Sequence, residues 1–155
     1  MTTKLSHDEM LAIIDAHGGA EQARDFDGAW NTMVDDPFYE FFPYGLHITG
    51  REAITELWSR IFAESGTIRC FSLAAHVPGE GAMQRHLGDD AVVDVMRSAF
   101  FDEGGVRHGA SYVVRYAFDD EGLKSESLWL DRELLVYFDQ VFDDSFRALP
   151  GVEEI

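Results

Sequence analysis

The stretch DDPFYEFFPYGLHITGREAITELWSRIF, Asp35 to Phe62, decides how the rest of the chain is read. Asp35, Asp36 and Pro37 close whatever helix precedes them, since proline has no N–H and disfavours helix in the residue before it. The aromatic run Phe38-Tyr39-Glu40-Phe41-Phe42 reads as a strand, bounded by Pro43, Tyr44 and Gly45. His47 lies in the turn before Gly50, and Arg51 opens a helix. The helix's apolar positions Ile54, Leu57, Trp58, Ile61 and Phe62 fall on one stripe. An aromatic strand followed at once by such a helix predicts a pocket between the two.

The order of a paired-acid turn, a strand ending near proline, then Gly50-Arg51-Glu52-Ala53-Ile54 and an amphipathic helix resembles the nuclear transport factor 2-like superfamily. Within it, the nearest likeness is to SnoaL-like polyketide cyclases and relatives of ketosteroid isomerase. The resemblance runs from Asp8 to the segment WLDREL, Trp129 to Leu134, and is weakest between Pro78 and Gly88. It implies an α+β cone, with three N-terminal helices packed on a curved antiparallel meander sheet, and a homodimer. One domain spanning residues 1–155 is expected. Many chemistries and several non-catalytic roles share this scaffold, so the likeness does not choose among them.

Composition narrows the choice. With 155 residues, 46% hydrophobic and 13% aromatic, the chain is long enough to bury a core. A net charge of −17 disfavours nucleic acid, anionic membranes and large anionic substrates. A small apolar or weakly polar molecule suits it better. The lone Cys70 allows no intrachain disulfide, and no apolar run resembles a signal peptide or approaches the ~20 residues of a membrane span, so a cytoplasmic protein is expected.

Taken in order, Ser6 and Glu9 form a capping box before a helix carrying Met10, Ile13, Ile14 and His17 on one face. This helix is expected to continue, with a kink at Gly18-Gly19, to about Arg24. A short helix follows with Ala29, Trp30 and Met33. After Gly66 the pattern turns to period two. Strands are expected over Thr67 to Val77, Ala91 to Phe101, Val106 to Phe118 and Leu123 to Leu130, with turns at 102–105 and 119–122. Residues 80–90 read as a loop with a short strand through Met83 to His86. Phe142 to Ile155 reads as a short helix or a tail.

Strand parity sorts the candidate side chains. His108 and Tyr112 share one face of their strand; Ser125, Ser127, Trp129 and Asp131 share one face of theirs. By resemblance to SnoaL-like cyclases, Asp131 falls where an aspartate closes the last long strand and serves as the acid/base of the pocket. The plainer reading of Asp131 is a turn cap or a partner of Arg132. His108 is the second catalytic candidate, as a proton relay. Trp30, Tyr39, Trp58, Phe62, Tyr112 and Trp129 are the expected substrate-binding residues, with Trp30, Trp58 and Phe62 at the floor of one cavity. His76 is expected at the surface. Where ketosteroid isomerases carry a general-base aspartate before a proline, this chain has Phe42, which disfavours that base; Glu40 is two residues away. Asp94, Arg97 and Asp131 supply the residue types of an Asp-Arg-Asp epoxide hydrolase, but Asp94 and Arg97 have opposite parity.

No phosphate loop, HExxH or paired-cysteine spacing is present, and neither metal nor cofactor is expected. The readings are cofactor-independent acid/base chemistry of cyclase, isomerase, dehydratase or epoxide hydrolase type, a non-catalytic small-molecule binder, or an interaction module.

Overall fold

The computed structural model describes residues 4–62, 81–101 and 106–155. The strand expected over Thr67 to Val77, with Cys70 and His76, and the turn at 102–105 lie outside the described residues.

Helix α1, His7–Gln22, begins with the expected capping box. The Glu9 N–H donates to Ser6 Oγ (3.3 Å), and the Ser6 N–H donates to Glu9 Oε2 (2.7 Å). The helix passes through Gly18-Gly19 without a break. A Cβ built on either glycine meets nothing within 4 Å, and neither has a positive φ. Gly18→Ala and Gly19→Ala are therefore each expected to stabilise the protein by roughly 0.5–1 kcal/mol, chiefly by restricting the unfolded chain. Urea midpoints that fall in both variants would show that these glycines have a purpose in the folded state.

Helix α2, Phe26–Trp30, is capped by Asp25. Strand β1, Met33–Phe42, follows. The expected helix stop at Asp35-Asp36-Pro37 is corrected here, because these residues lie within β1. The pairing of β1 with its neighbour shifts register between Met33 and Phe38, and a proline at an irregularity breaks no ladder hydrogen bond. Strand β2, Leu46–Thr49, places His47 in a strand rather than a turn. It pairs with β1 on one side, and on the other with a short strand from the C-terminal tail.

Helix α3, Arg51–Ile61, buries Ile54, Leu57, Trp58 and Ile61 of the stripe read from the sequence, together with Ala53, while Phe62 is its half-buried C-cap. Strands β3 (Gly81–Leu87), β4 (Ala91–Phe101), β5 (Arg107–Phe118) and β6 (Leu123–Leu130) form a meander. Helix α4, Arg132–Val141, follows β6, then α5, Asp144–Arg147, and β7, Val152–Glu154. The tail is thus both a short helix and a strand.

The sheet order is β3-β4-β5-β6-β1-β2-β7, antiparallel throughout except that β1 and β6 run parallel. The molecule is α+β, with helices on a curved, unclosed sheet. The main core lies between the sheet's inner face (Tyr39, Phe41, Val114, Leu128) and helices α3 and α4 (Leu57, Trp58, Leu134, Phe138). Arg60 ties the helices together, donating to Glu56 on α3 and to Asp143 and the Val141 carbonyl at the end of α4. None of the described helices is long and apolar enough to cross a membrane.

Candidate functional site

The inner face of the sheet carries polar side chains as well as apolar ones. On β6, Glu126 shares this face with Leu128, and the pairing sets it beside Tyr39 of β1 and Tyr116 of β5. Helix α1 crosses over them and presents His17 from the same apolar stripe as Met10 and Ile14. Glu21 stands one helical turn further on.

These groups meet at His17 Nε2. Tyr39 Oη lies 2.9 Å away, Glu21 Oε1 3.0 Å and Glu126 Oε1 3.2 Å. Trp58 Nε1 of α3 donates to Tyr39 Oη at 3.0 Å, and Tyr39 donates to Glu21 Oε1 at 3.1 Å. On the far side of the ring, Nδ1 is 2.7 Å from Thr32 Oγ1 and 3.3 Å from the Ala29 carbonyl. The cluster is nearly sealed: His17 is 1% exposed, Trp58 1%, Tyr39 3% and Glu126 7%.

Burial alone would strip the charge from His17. The Glu21 carboxylate and the bond to Glu126 outweigh it, and the imidazole is pushed up to about 10. Burial raises Glu126 above the ordinary carboxylate range, against the opposing pull of His17. Burial also raises the Tyr39 phenol well above its usual value, with the charges of Glu126 and Glu21 adding to it. Near neutral pH the ring is therefore an imidazolium between two carboxyl groups, and Tyr39 is a neutral phenol. Nε2 and the two carboxyl oxygens lie within 4.8 Å of one another, so this is also the donor set that could gather a cation. In the present hydrogen-bond pattern the positive charge among them belongs to the imidazolium.

The Trp58 ring connects this cluster to Trp30, at 5.2 Å between ring centres. Trp30 in turn lines an open depression of about 630 Å³ with Met33, Asp35, Asp36, Thr49 and Arg51. None of the residues around His17 Nε2 lines that depression.

No protein-family model matches the sequence, and no curated protein matches it. Solved structures do. A nuclear transport factor 2-like protein from Burkholderia xenovorans superposes with a TM-score of 0.66 at 14% identity, over 84% of this chain and 95% of that one. The fold is nuclear transport factor 2-like. A SnoaL-like protein from Shewanella denitrificans gives a TM-score of 0.63 at 11% identity, over 82% of this chain and 93% of that one. A protein of ketosteroid isomerase-like fold from Catenulispora acidiphila, in complex with trimethylamine, gives 0.55 at 15% identity, over 77% and 85%.

Within this nuclear transport factor 2-like cone, the residues singled out from sequence are dispersed. Asp131 is the N-cap of α4. The Glu133 and Leu134 N–H groups donate to its Oδ1 (2.9 and 3.3 Å), and the Ser111 N–H donates to Oδ2 (2.7 Å). A carboxylate held this way closes a helix and a strand edge. It also lies five residues along β6 from Glu126, roughly 17 Å at strand spacing. His108 sits towards the same end of the sheet, opposite Phe100 and far from His17.

Trp129 lies on the outer face. Parity turns it away from Leu128, and it stacks on Phe42 across the outer face at 5.5 Å and 12°, 44% exposed. Tyr39 and Trp58 belong to the buried cluster. Trp30, Phe62 and Tyr112 are half-buried and packed against the main core. Phe62 offers its carbonyl to Arg24. Asp94 pairs with Arg85 at 2.7 and 2.8 Å.

Sequence reasoning missed His17, Glu21 and Glu126 as a site. The signal was a histidine on an apolar helical stripe with glutamate at i+4, and a glutamate on the leucine-bearing face of a strand.

The cap role of Asp131 makes a prediction. Asp131→Ala is expected to cost about 1–2 kcal/mol in urea denaturation. Asp131→Asn keeps one cap acceptor and is expected to lose less. An Asn variant as damaged as the Ala variant would count against the cap.

Proposed function

We propose that the chain is a cofactor-independent acid/base enzyme acting on a small, apolar, oxygenated molecule, with His17, Glu126, Glu21 and Tyr39 as its proton-handling groups. One observation carries the reading. A buried imidazole nitrogen sits within 3.2 Å of two carboxyl oxygens and a phenol, in a fold shared with SnoaL-like and ketosteroid isomerase-like proteins. Glu126, raised by burial, is suited to take a proton from a substrate carbon or hydroxyl. The proton taken from the substrate stays on the Glu126 carboxyl, the His17 imidazolium beside it steadies the carboxylate before and after with its own Nε2–H, and Tyr39 turns its hydroxyl from Glu21 to developing charge on a substrate oxygen. Returning the proton to another atom isomerises the substrate or closes a ring, and returning it to a leaving hydroxyl dehydrates it. The net charge of −17 favours a neutral molecule, and cytoplasmic residence remains the expectation.

A second reading, a non-catalytic binder of the same fold, is favoured by how completely the cluster satisfies its own hydrogen bonds. The test is a panel of small carbonyl compounds, allylic alcohols and epoxides incubated with the protein in D₂O and followed by NMR. Binding is followed in parallel by thermal shift. Conversion or deuterium uptake is expected for at least one compound that binds. Glu126→Gln should reduce it ~10²-fold or more with binding little changed. Compounds that bind without any exchange or conversion would favour the binder.

The outer face carries Phe38, Phe42 and Trp129, and a homodimer through it is part of the proposal. Sedimentation should give twice 17.5 kDa at micromolar concentration, and a 17.5 kDa particle would refute the dimer.

A further inference from the structure

We infer that Thr32 is a positioning residue, holding His17 with a proton on Nδ1 so that Nε2 is the one ring nitrogen that exchanges protons with Glu126, Glu21 and Tyr39. The inference rests on the reading of this cluster as a proton-transfer site. It follows from following each hydrogen to its acceptor. The Thr32 hydroxyl has one proton, which it donates to the Ala29 carbonyl at 2.7 Å. Its remaining lone pairs can only accept, so at 2.7 Å from the ring the donor is His17 Nδ1–H. The Ala29 carbonyl, 3.3 Å from Nδ1, is likewise an acceptor only. Both partners on this side of the ring demand a proton there in every charge state. All exchange is thereby directed to Nε2.

Thr32 is itself anchored to the strand that carries Glu126. The Leu123 N–H, at the start of β6, donates to the Thr32 carbonyl at 3.1 Å. At Gly122, φ is +158°, and a Cβ there would meet the same carbonyl at 2.9 Å. The chain segment that fixes the tautomer is thus held in register with one of the acids that uses it. The titratable groups facing Nε2 are Glu21 from α1, Glu126 from β6 and Tyr39 from β1; Trp58 from α3 faces Tyr39 with a permanent N–H. An orienting bond on the far nitrogen of a working histidine is the device that sets which nitrogen reacts.

The experiment uses the full chain with ¹⁵N-labelled histidine. In the wild type at pH 7, both His17 ring nitrogens should be protonated, with a slowly exchanging Nδ1 proton. Thr32→Val, nearly isosteric, should make that proton exchange at least tenfold faster and lower the ring's titration midpoint by roughly one pH unit or more. Thr32→Ser should restore both, and Thr32→Ala should match Thr32→Val if the valine variant does not fold. An unchanged Nδ1 proton and midpoint in the folded Val or Ala variant would overturn the inference, as would failure of Ser to rescue. None of these readouts requires a substrate. A failed turnover screen and a failed tautomer assignment are therefore separate results.

Discussion

Replacing His17 with leucine is expected to destabilise the protein by about 3–5 kcal/mol, among the largest losses available to a single substitution here. The ring's packing is largely retained, since leucine fills much of its volume against Trp58. What is lost is the positive charge between Glu21 and Glu126 and the proton shared with Tyr39. Two carboxyl groups would then face each other in a nearly sealed space, and Thr32 Oγ1 would lose its donor. The second substitution is the informative one. Glu126→Leu in the same chain removes the uncompensated acid, and apolar replacements of buried charged pairs are often neutral or better. The double variant should therefore recover at least half of the loss. Urea denaturation of the four proteins of the cycle measures this. Equal losses in the single and double variants would show that His17 matters for its shape alone.

The second large effect is on the alkaline side of neutrality. His17 goes from an ordinary histidine value of 6.5 in the unfolded chain to about 10 in the folded one. Its folded-state value is raised, so its contribution to stability is fully present below pH 6.5 and is lost as pH rises towards 10. Each pH unit across that interval removes up to about 1.4 kcal/mol for the one proton that the folded state holds and the unfolded state does not. Glu126 is also raised, so its own contribution falls as pH rises above 4.5, in the same direction. Between pH 7 and 9.5 the wild type should lose several kcal/mol in urea. His17→Gln should be less stable at pH 7 but lose much less over the same interval. Parallel slopes for the two proteins would assign the alkaline instability to other groups.

How far these residues could be found without coordinates depends on the interaction. Helix α3 was legible because Ile54, Leu57, Trp58 and Ile61 bury one continuous stripe, a local pattern. The β4-β5-β6 meander was legible for the same reason, with alternation and acidic turns near each other in sequence. His17 and Glu126 each carried a local sign as polar members of apolar faces. Their meeting depends on β1 running parallel to β6 and on α1 crossing both, contacts that span 109 residues between His17 and Glu126. No local pattern encodes that. Asp131 carried a local sign of another kind: its place before Arg132-Glu133-Leu134 is a helix cap by local rules, the plainer of its two readings, while the catalytic one came from the family likeness. The Asp35-Asp36-Pro37 run was read as a stop because these residues are poor in helices. A bulged strand tolerates them equally well.

NMR titration of the ¹⁵N-labelled ring measures the charge on His17 most directly. Assignment by comparison with His17→Gln isolates it from the other five histidines. The expected result is an imidazolium, both nitrogens protonated, that persists from pH 6 to beyond pH 9. A ring already neutral at pH 7, titrating near the ordinary histidine value, would contradict it.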